Sequence, residues 1–498
     1  MKASFLSFLF LFIFSLLIRL IFFYLNIDFF LCYPPTADED FYFLLIQLYK
    51  ERSPLIFSEP FYYSPLYFSL LWIISKFIQD YMLFVKFINI ILGSLTSGIV
   101  FLIVNKVIKN ISKSILIGII FLLTDVFLFY DLTSLKVSLG LFTFSVFIYF
   151  LLIRKYVLSG IFLGLAILIY GGLLISFVFL SIILLYKYNL KELMRFSLPV
   201  LLIIFTITYI NYSRTKDFIL ITAVDGIHFF IGNWKNATGV YTPIPGVRPN
   251  PFGHFFDSRE IANFIANKKL SPSEVSSFWK KMAIEHMFKN KLKTIKLYLK
   301  KVILLFNYQN IPNNYDISYV KTKTLLRLSI PFYLILVTGI SGFIYAAINK
   351  RDNIFIFLSV IFIGCVTYNI LFFVVDRYRL PVIFLLLIFT SLLLTNNRFK
   401  VKFFLLFCSA IIVLYPINIK MENKSTMRHT ITERVCSLRK KVNLVQDKAE
   451  KSKIYKELGE LYEKIGGKEW SIFYYKKALE LNPGNMKLKE KLLNLMFN

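Results

Sequence analysis

The stretch from Phe5 to Tyr24, FLSFLFLFIFSLLIRLIFFY, decides the fold class of this chain. It carries a single charge, Arg19, and is long enough to cross ~30 Å of hydrocarbon as an α-helix. It is too long for a signal-peptide core and no small-residue cleavage site follows it, so it reads as a membrane span with Lys2 inside. An arginine within lipid is costly, so Arg19 is expected to face the bundle interior, with a structural partner and a ligand contact both open readings. Further apolar runs centre on 81–104, 114–130, 137–153, 196–213, 327–348, 353–375, 381–395 and 403–417. The stretch 160–186 has Tyr170-Gly171-Gly172 at its midpoint and basic residues beyond both ends, which reads as a tight hairpin of two short helices. The expectation is an all-α polytopic membrane protein of about eleven spans.

Composition agrees. The 498 residues are 57% hydrophobic, 18% aromatic and 17% charged, with a mean hydropathy of +0.64. Soluble domains average about half apolar and about a quarter charged. The apolar residues are clustered in runs, which excludes an ordinary soluble enzyme, a disordered chain and a disulfide-stapled secreted domain. The formal net charge of +29 comes from Lys and Arg crowded between apolar segments, so no nucleic-acid partner is expected. Cys32, Cys365, Cys408 and Cys436 show no C-x-x-C pair and no metal-ligand spacing.

Basic residues orient the chain. The segments assigned to the inner side carry Lys2, Lys106, Lys109, Lys113, Arg154, Lys155, Lys187, Lys191, Arg195, Lys350, Arg351, Arg398, Lys400 and Lys402. The short outer segments 26–64, 131–136 and 376–380 carry only Lys50, Arg52, Lys136, Arg377 and Arg379. Three long segments then lie outside: 26–80, 214–325 and the tail 418–498. Pro65 to Ile78 is apolar but short for a span and suits an interfacial or re-entrant helix. Ser271-Pro272-Ser273-Glu274 has the form of a helix start. The lysines from Lys289 to Lys301 that follow are expected to meet anionic headgroups or phosphates. In the tail, Leu458-Gly459-x-x-Tyr462, Ser471, Tyr475, Ala478 and Pro483 have the spacing of one tetratricopeptide repeat at about 452–485, with Ser471 in place of the commoner Ala. A lone repeat cannot bury its face, so the helix-prone stretch 431–450 or a protein partner is expected to cover it.

Three polar clusters stand above the apolar background. Asp38-Glu39-Asp40-Phe41-Tyr42 lies just outside the first span. Adjacent carboxylates in apolar surroundings raise one another's pKa, which suits a general base, although a solvated acidic loop is the plainer reading. Tyr130-Asp131 with Lys136 forms a short outer turn that marks either a site or the water interface. Asp376-Arg377-Tyr378-Arg379-Leu380-Pro381 puts two arginines outside, against the charge bias, where they either clamp a lipid phosphate or anchor a helix end to headgroups.

In this order the clusters resemble those of C-type (GT-C) integral-membrane glycosyltransferases of the bacterial protein O-mannosyltransferase and aminoarabinose-transferase kind. Asp38-Glu39-x-x-Tyr42 matches their first-loop D-E-x-x-Y spacing, and Phe61 to Tyr67 resembles the P-x-Y-x-P-L-Y element. Asp131 stands where many relatives have Glu. Gly226 to Asn233, continuing to Ala237, Gly239 and Tyr241, resembles a G-x-N-F-Y-x-G-N element with His228 in the usual Asn position, and Asp376 to Pro381 resembles R-Y-R-L-P. The resemblance covers roughly residues 1–415. It implies a GT-C-like bundle that moves a sugar from a polyprenyl-phosphate donor to an acceptor hydroxyl on a lipid, glycan or protein, at the outer face of a bacterial cytoplasmic membrane. Within it Asp38 would be the general base. Arg377, Arg379 and Lys136 would hold the donor phosphate, and Glu39, Tyr42, Tyr67 and Asn233 would position donor or acceptor. Asp131 would orient the acceptor, hold the partner of Asp38 or help bind a divalent cation (Mg or Mn), as some relatives do. A lipid-linked sugar flippase or an envelope oligosaccharide polymerase or ligase are the alternatives. A flippase would call for inverted repeats and paired broken helices, and only one broken stretch is seen.

Overall fold

The computed structural model describes all residues except 1, 33–36, 51–57, 350–351, 396–398, 417–433, 436, 439–440, 443–444, 465–467 and 498. The described residues form helices throughout, with one isolated bridge, Thr124 to Ile330, and no β-strand. Among them five helices are long and apolar enough to cross a membrane: Lys2–Leu25, Tyr81–Ile108, Leu190–Thr215, Phe332–Asn349 and Asn353–Leu371. Shorter apolar helices, including Ile111–Leu123, Val137–Leu152, Tyr156–Ile167 and Leu173–Lys187, accompany them. The helix breaks at 168–172, where Tyr170-Gly171-Gly172 interrupts the apolar run.

The Asp376–Leu393 helix is the axis of the fold. Every residue from Arg379 to Phe389 is buried, because other helices surround it on all sides. Its closest neighbour is Phe332–Asn349, and small residues set the spacing. A Cβ on Gly342 would stand 2.1 Å from the Phe389 carbonyl oxygen. In Lys2–Leu25 the outward residues are exposed, while Leu11, Ser15, Arg19 and Phe23 form a buried stripe at three- to four-residue spacing. Ser15 Oγ lies 2.9 Å from Ser97 Oγ on Tyr81–Ile108. Arg19 therefore faces inward, as its cost in lipid requires.

The segment 26–80 folds onto this frame as two helices, Ala37–Lys50 and Pro65–Phe77. Tyr42 and Ile46 of the first pack with Tyr67, Leu71 and Ile74 of the second, above Tyr81 and Val85. The Ser271 signal opens the Pro272–Lys289 helix with a complete capping box, in which Glu274 reaches back to the Ser271 backbone N–H. The next helix, Lys291–Leu305, exposes an apolar row of Leu292, Ile295, Leu299 and Ile303. Lys301 corrects the expectation for this basic run: it turns inward, fully buried, and donates to Asn233 Oδ1 (3.1 Å) and the Ile370 carbonyl (3.0 Å).

In the tail, Lys448–Lys464 packs on Lys468–Leu481, with Ser452 Oγ donating to the Ala478 carbonyl at 2.7 Å. Val435, Leu438 and Val442, from the stretch expected to cover this pair, join Ile454, Leu458 and Tyr462 in one core. Lys468–Leu481 also approaches the Ala37–Lys50 helix. Arg52, Lys350, Arg351, Arg398 and Cys436 fall outside the described residues.

Candidate functional site

Asp38 and Arg377 meet. Asp38 sits in the first turn of Ala37–Lys50, where a carboxylate complements the helix N-terminus. Arg377 sits in the first turn of the central helix. Although 339 positions separate them, Arg377 Nη1 donates to Asp38 Oδ2 in a buried ion pair. The Arg377 guanidinium also lies 5.0 Å from the Tyr378 ring centre, and its Nε is buried with no partner among the described residues. Burial pushes the Asp38 carboxyl up, but Arg377, helped by Asn314 and Lys136, outweighs it and holds the group below the usual carboxylate range. This corrects the expectation that its acidic neighbours would raise it. On a helix, consecutive side chains point to different sides, so Asp38 faces a cation and not Glu39 or Asp40.

Glu39 has other work. Its carboxylate accepts from the Ser134 backbone N–H (3.1 Å) and the Tyr315 hydroxyl (2.9 Å). Tyr67 donates its hydroxyl to the Ser134 carbonyl and packs edge-on to Tyr42 at 5.0 Å. Asn89 Nδ2 donates to the carbonyls of Thr133 (2.8 Å) and Leu135 (3.0 Å). The turn 132–136 is thus the anchor for the helix that carries Asp38, and Glu39 and Tyr67 hold it from above. Lys136 leaves this turn and donates to the Ile169 carbonyl (2.9 Å) at the 168–172 break. Burial, with Arg377 adding repulsion, brings its ammonium down to about 8.

Asp131 points away from Asp38. Its Oδ2 accepts from Arg19 Nε at 2.9 Å, with Arg19 Nη2 2.8 Å from the same oxygen, and the pair is almost fully enclosed. Gly93 makes room for it: a Cβ there would stand 2.0 Å from Asp131 Oδ2. Arg379 is likewise spent. It is fully buried and donates to the carbonyls of Leu305 (3.1 Å), Gln309 (2.9 Å) and Asn307, and to Asp376 Oδ1 (3.3 Å). Asp376 in turn accepts from the Ile311 N–H at 2.9 Å. These bonds fasten segment 305–311 to the start of the central helix and so fix the backbone that presents Arg377. Asn233 is held between Lys301 and the carbonyls of Phe229 and Leu371 (2.8 Å each).

Beside the Asp38–Arg377 pair opens a cleft lined by Tyr63, His228, Tyr241, His254, Asn314 and Phe373. The element that runs from Gly226 to Tyr241 took in His228 and Tyr241, but nothing in the sequence flagged His254 or Asn314. His254 arrives on a short π-helical turn and Asn314 on a loop, and their only signal is their place in the large segment 214–325. Asp38 faces Arg377 and Asp131 faces Arg19, and among the described residues no three His, Cys, Asp or Glu side chains converge. Of the residues singled out in the sequence, the fold therefore brings Asp38 and Arg377 together at an open cleft, with Lys136 in their field. It spends Asp131, Arg379, Glu39 and Asn233 on holding the frame. No family model matches the chain, and no curated protein matches it either.

Proposed function

We propose that this protein is a membrane-embedded glycosyltransferase that moves a sugar from a polyprenyl-phosphate donor to an acceptor hydroxyl at the outer membrane–water boundary. The observation that carries the reading is the buried pairing of Asp38 with Arg377 at the rim of the cleft. The acceptor oxygen attacks the anomeric carbon, the bond from that carbon to the phosphate oxygen breaks, and Asp38 takes the acceptor proton. Polyprenyl phosphate leaves carrying the bond's electron pair, and Arg377 stabilises its charge. A guanidinium suits this because its planar fork matches two phosphate oxygens. When the phosphate engages Arg377, Asp38 loses its counter-charge and becomes the stronger base that the reaction needs.

In this reading the chain has about eleven spans in a GT-C-like arrangement. The cleft and the tail, with its tetratricopeptide-like pair, face the periplasm of a bacterial cytoplasmic membrane. The approach of Lys468–Leu481 to the helix carrying Asp38 supports a common side for tail and cleft. The exposed apolar row of Lys291–Leu305, flanked by Lys291, Lys293 and Lys296, suits a helix lying among acyl chains and anionic headgroups. The test uses purified protein with a lipid-linked monosaccharide and measures release of polyprenyl phosphate. Asp38→Asn leaves Arg377 without its counter-charge and should lower stability, and measured at a temperature where it is folded it should lose turnover by about 10²–10⁴-fold. Wild-type turnover in that variant would refute the general base.

A further inference from the structure

We propose that the cleft beside Asp38 is a sugar subsite in which the Nδ1–H of His254 donates to a hydroxyl of the donor's sugar, an assignment that rests on the glycosyltransferase reading. His254 is 95% buried and its Nε2 lies 2.8 Å from the Tyr241 hydroxyl. With that hydroxyl donating to Nε2, the ring hydrogen sits on Nδ1. Nδ1 is buried and has no partner among the described residues. A buried donor left unpaired carries a free-energy cost, and bound ligand is one way native sites recover it.

The backbone supports the same placement. His254 lies in one π-helical turn, Gly253–Asp257, a distortion frequent at functional sites. Its carbonyl accepts from the hydroxyls of Tyr62 and Ser258 (2.5 Å), which anchors the backbone that carries the ring. The walls then divide the ligand by charge. Arg377 is the cation and suits the phosphate. His254 is kept neutral: burial brings its imidazole down to about 4, and Arg377 pushes the same way against the pull of Asp38. A neutral N–H beside Tyr63, Phe373 and Tyr378 suits a sugar, whose C–H faces lie on aromatic rings while its hydroxyls find single donors and acceptors.

Two substitutions separate the ring nitrogens. His254→Asn places an amide N–H near the Nδ1 position, and His254→Gln keeps only the reach of Nε2 to Tyr241. Binding of undecaprenyl phosphate is measured beside a panel of undecaprenyl-phosphate sugars (mannose, glucose, galactose and aminoarabinose), in full-length protein whose thermal unfolding is checked. Wild type should bind at least one sugar-loaded lipid more tightly than the bare phosphate. His254→Gln should erase that preference by about tenfold, and His254→Asn should keep most of it. Arg377→Lys should weaken both kinds of lipid. A preference that survives in folded His254→Gln, or that wild type never shows for any sugar, overturns the subsite. If His254→Gln does not fold, His254→Asn decides, and loss of the preference there overturns it. Failure of wild type to bind any of these lipids, or indifference to Arg377→Lys, would sink the glycosyltransferase reading itself.

Discussion

Removing the charge of Asp131 should unfold this protein before it touches any chemistry. Asp131 and Arg19 meet at 2.8 Å with side chains 4% and 0% exposed. At an effective dielectric of 20 the gross Coulomb attraction at that distance is about 6 kcal/mol. Much of it offsets desolvation, so the pair adds little net stability against an apolar substitute of the same shape. Breaking it from one side is different, because the other charge stays buried without a partner, at a cost of about 3–5 kcal/mol. Asp131→Asn leaves Arg19 in that condition, and Ser15 alone cannot balance a guanidinium. Arg19→Met leaves Asp131 pressed against Gly93 with no counter-charge. The double variant Arg19→Met, Asp131→Leu removes both charges with similar volumes and should return to within about 1–2 kcal/mol of wild type. The assay is reversible unfolding in mixed micelles, with turnover measured on each variant at a temperature where it is folded. A double variant as stable as wild type but without turnover would refute the reasoning. Asp131 would then act in the reaction, as the family resemblance implies.

The two arginines of the R-Y-R-L-P element should fail in different ways. Arg377→Lys keeps the fold but loses the planar fork, and turnover should fall by roughly a hundredfold. Arg379→Lys cannot reach the carbonyls of 305, 307 and 309 together, so its deficit should appear as a lowered unfolding midpoint. Equal kinetic losses with unchanged stability would reverse the assignment. Lys301 makes stability depend on pH. Burial brings its ammonium down to about 7, below the ordinary lysine value, so between pH 7 and 10 the unfolded chain holds the proton that the folded chain does not. Stability should therefore rise with pH across that window, by up to about 1.4 kcal/mol per unit, and Lys301→Met should flatten the rise. A slope that persists in the variant would assign it elsewhere. Finally, membrane-impermeant thiol labelling should reach cysteines engineered at 240–260 and in the tail but not at 106–113. Labelling of the tail only after permeabilisation would make the number of spans even.

What the sequence determined by itself is what depends on composition and on neighbours along the chain. The apolar run Phe5–Tyr24 and its counterparts announce helices because unpaired backbone groups cannot be left in lipid. Arg19 had to face inward for the same reason, and Ser271 with Glu274 specified a helix start within four residues. The three polar clusters were visible too, as charge against an apolar background. Their division of labour was not. Asp38 and Asp131 look alike in sequence, as do Arg377 and Arg379, and only about half a turn of helix separates the arginine at the cleft from the one bonded to the 305–309 carbonyls. Which carboxylate meets which guanidinium depends on contacts 112 and 339 positions apart, and these exist only once the central helix is enclosed. His254 lay beyond reach for the same reason: its importance comes from a nitrogen that, among the described residues, the packing of distant segments leaves unpaired, a property that no local pattern encodes.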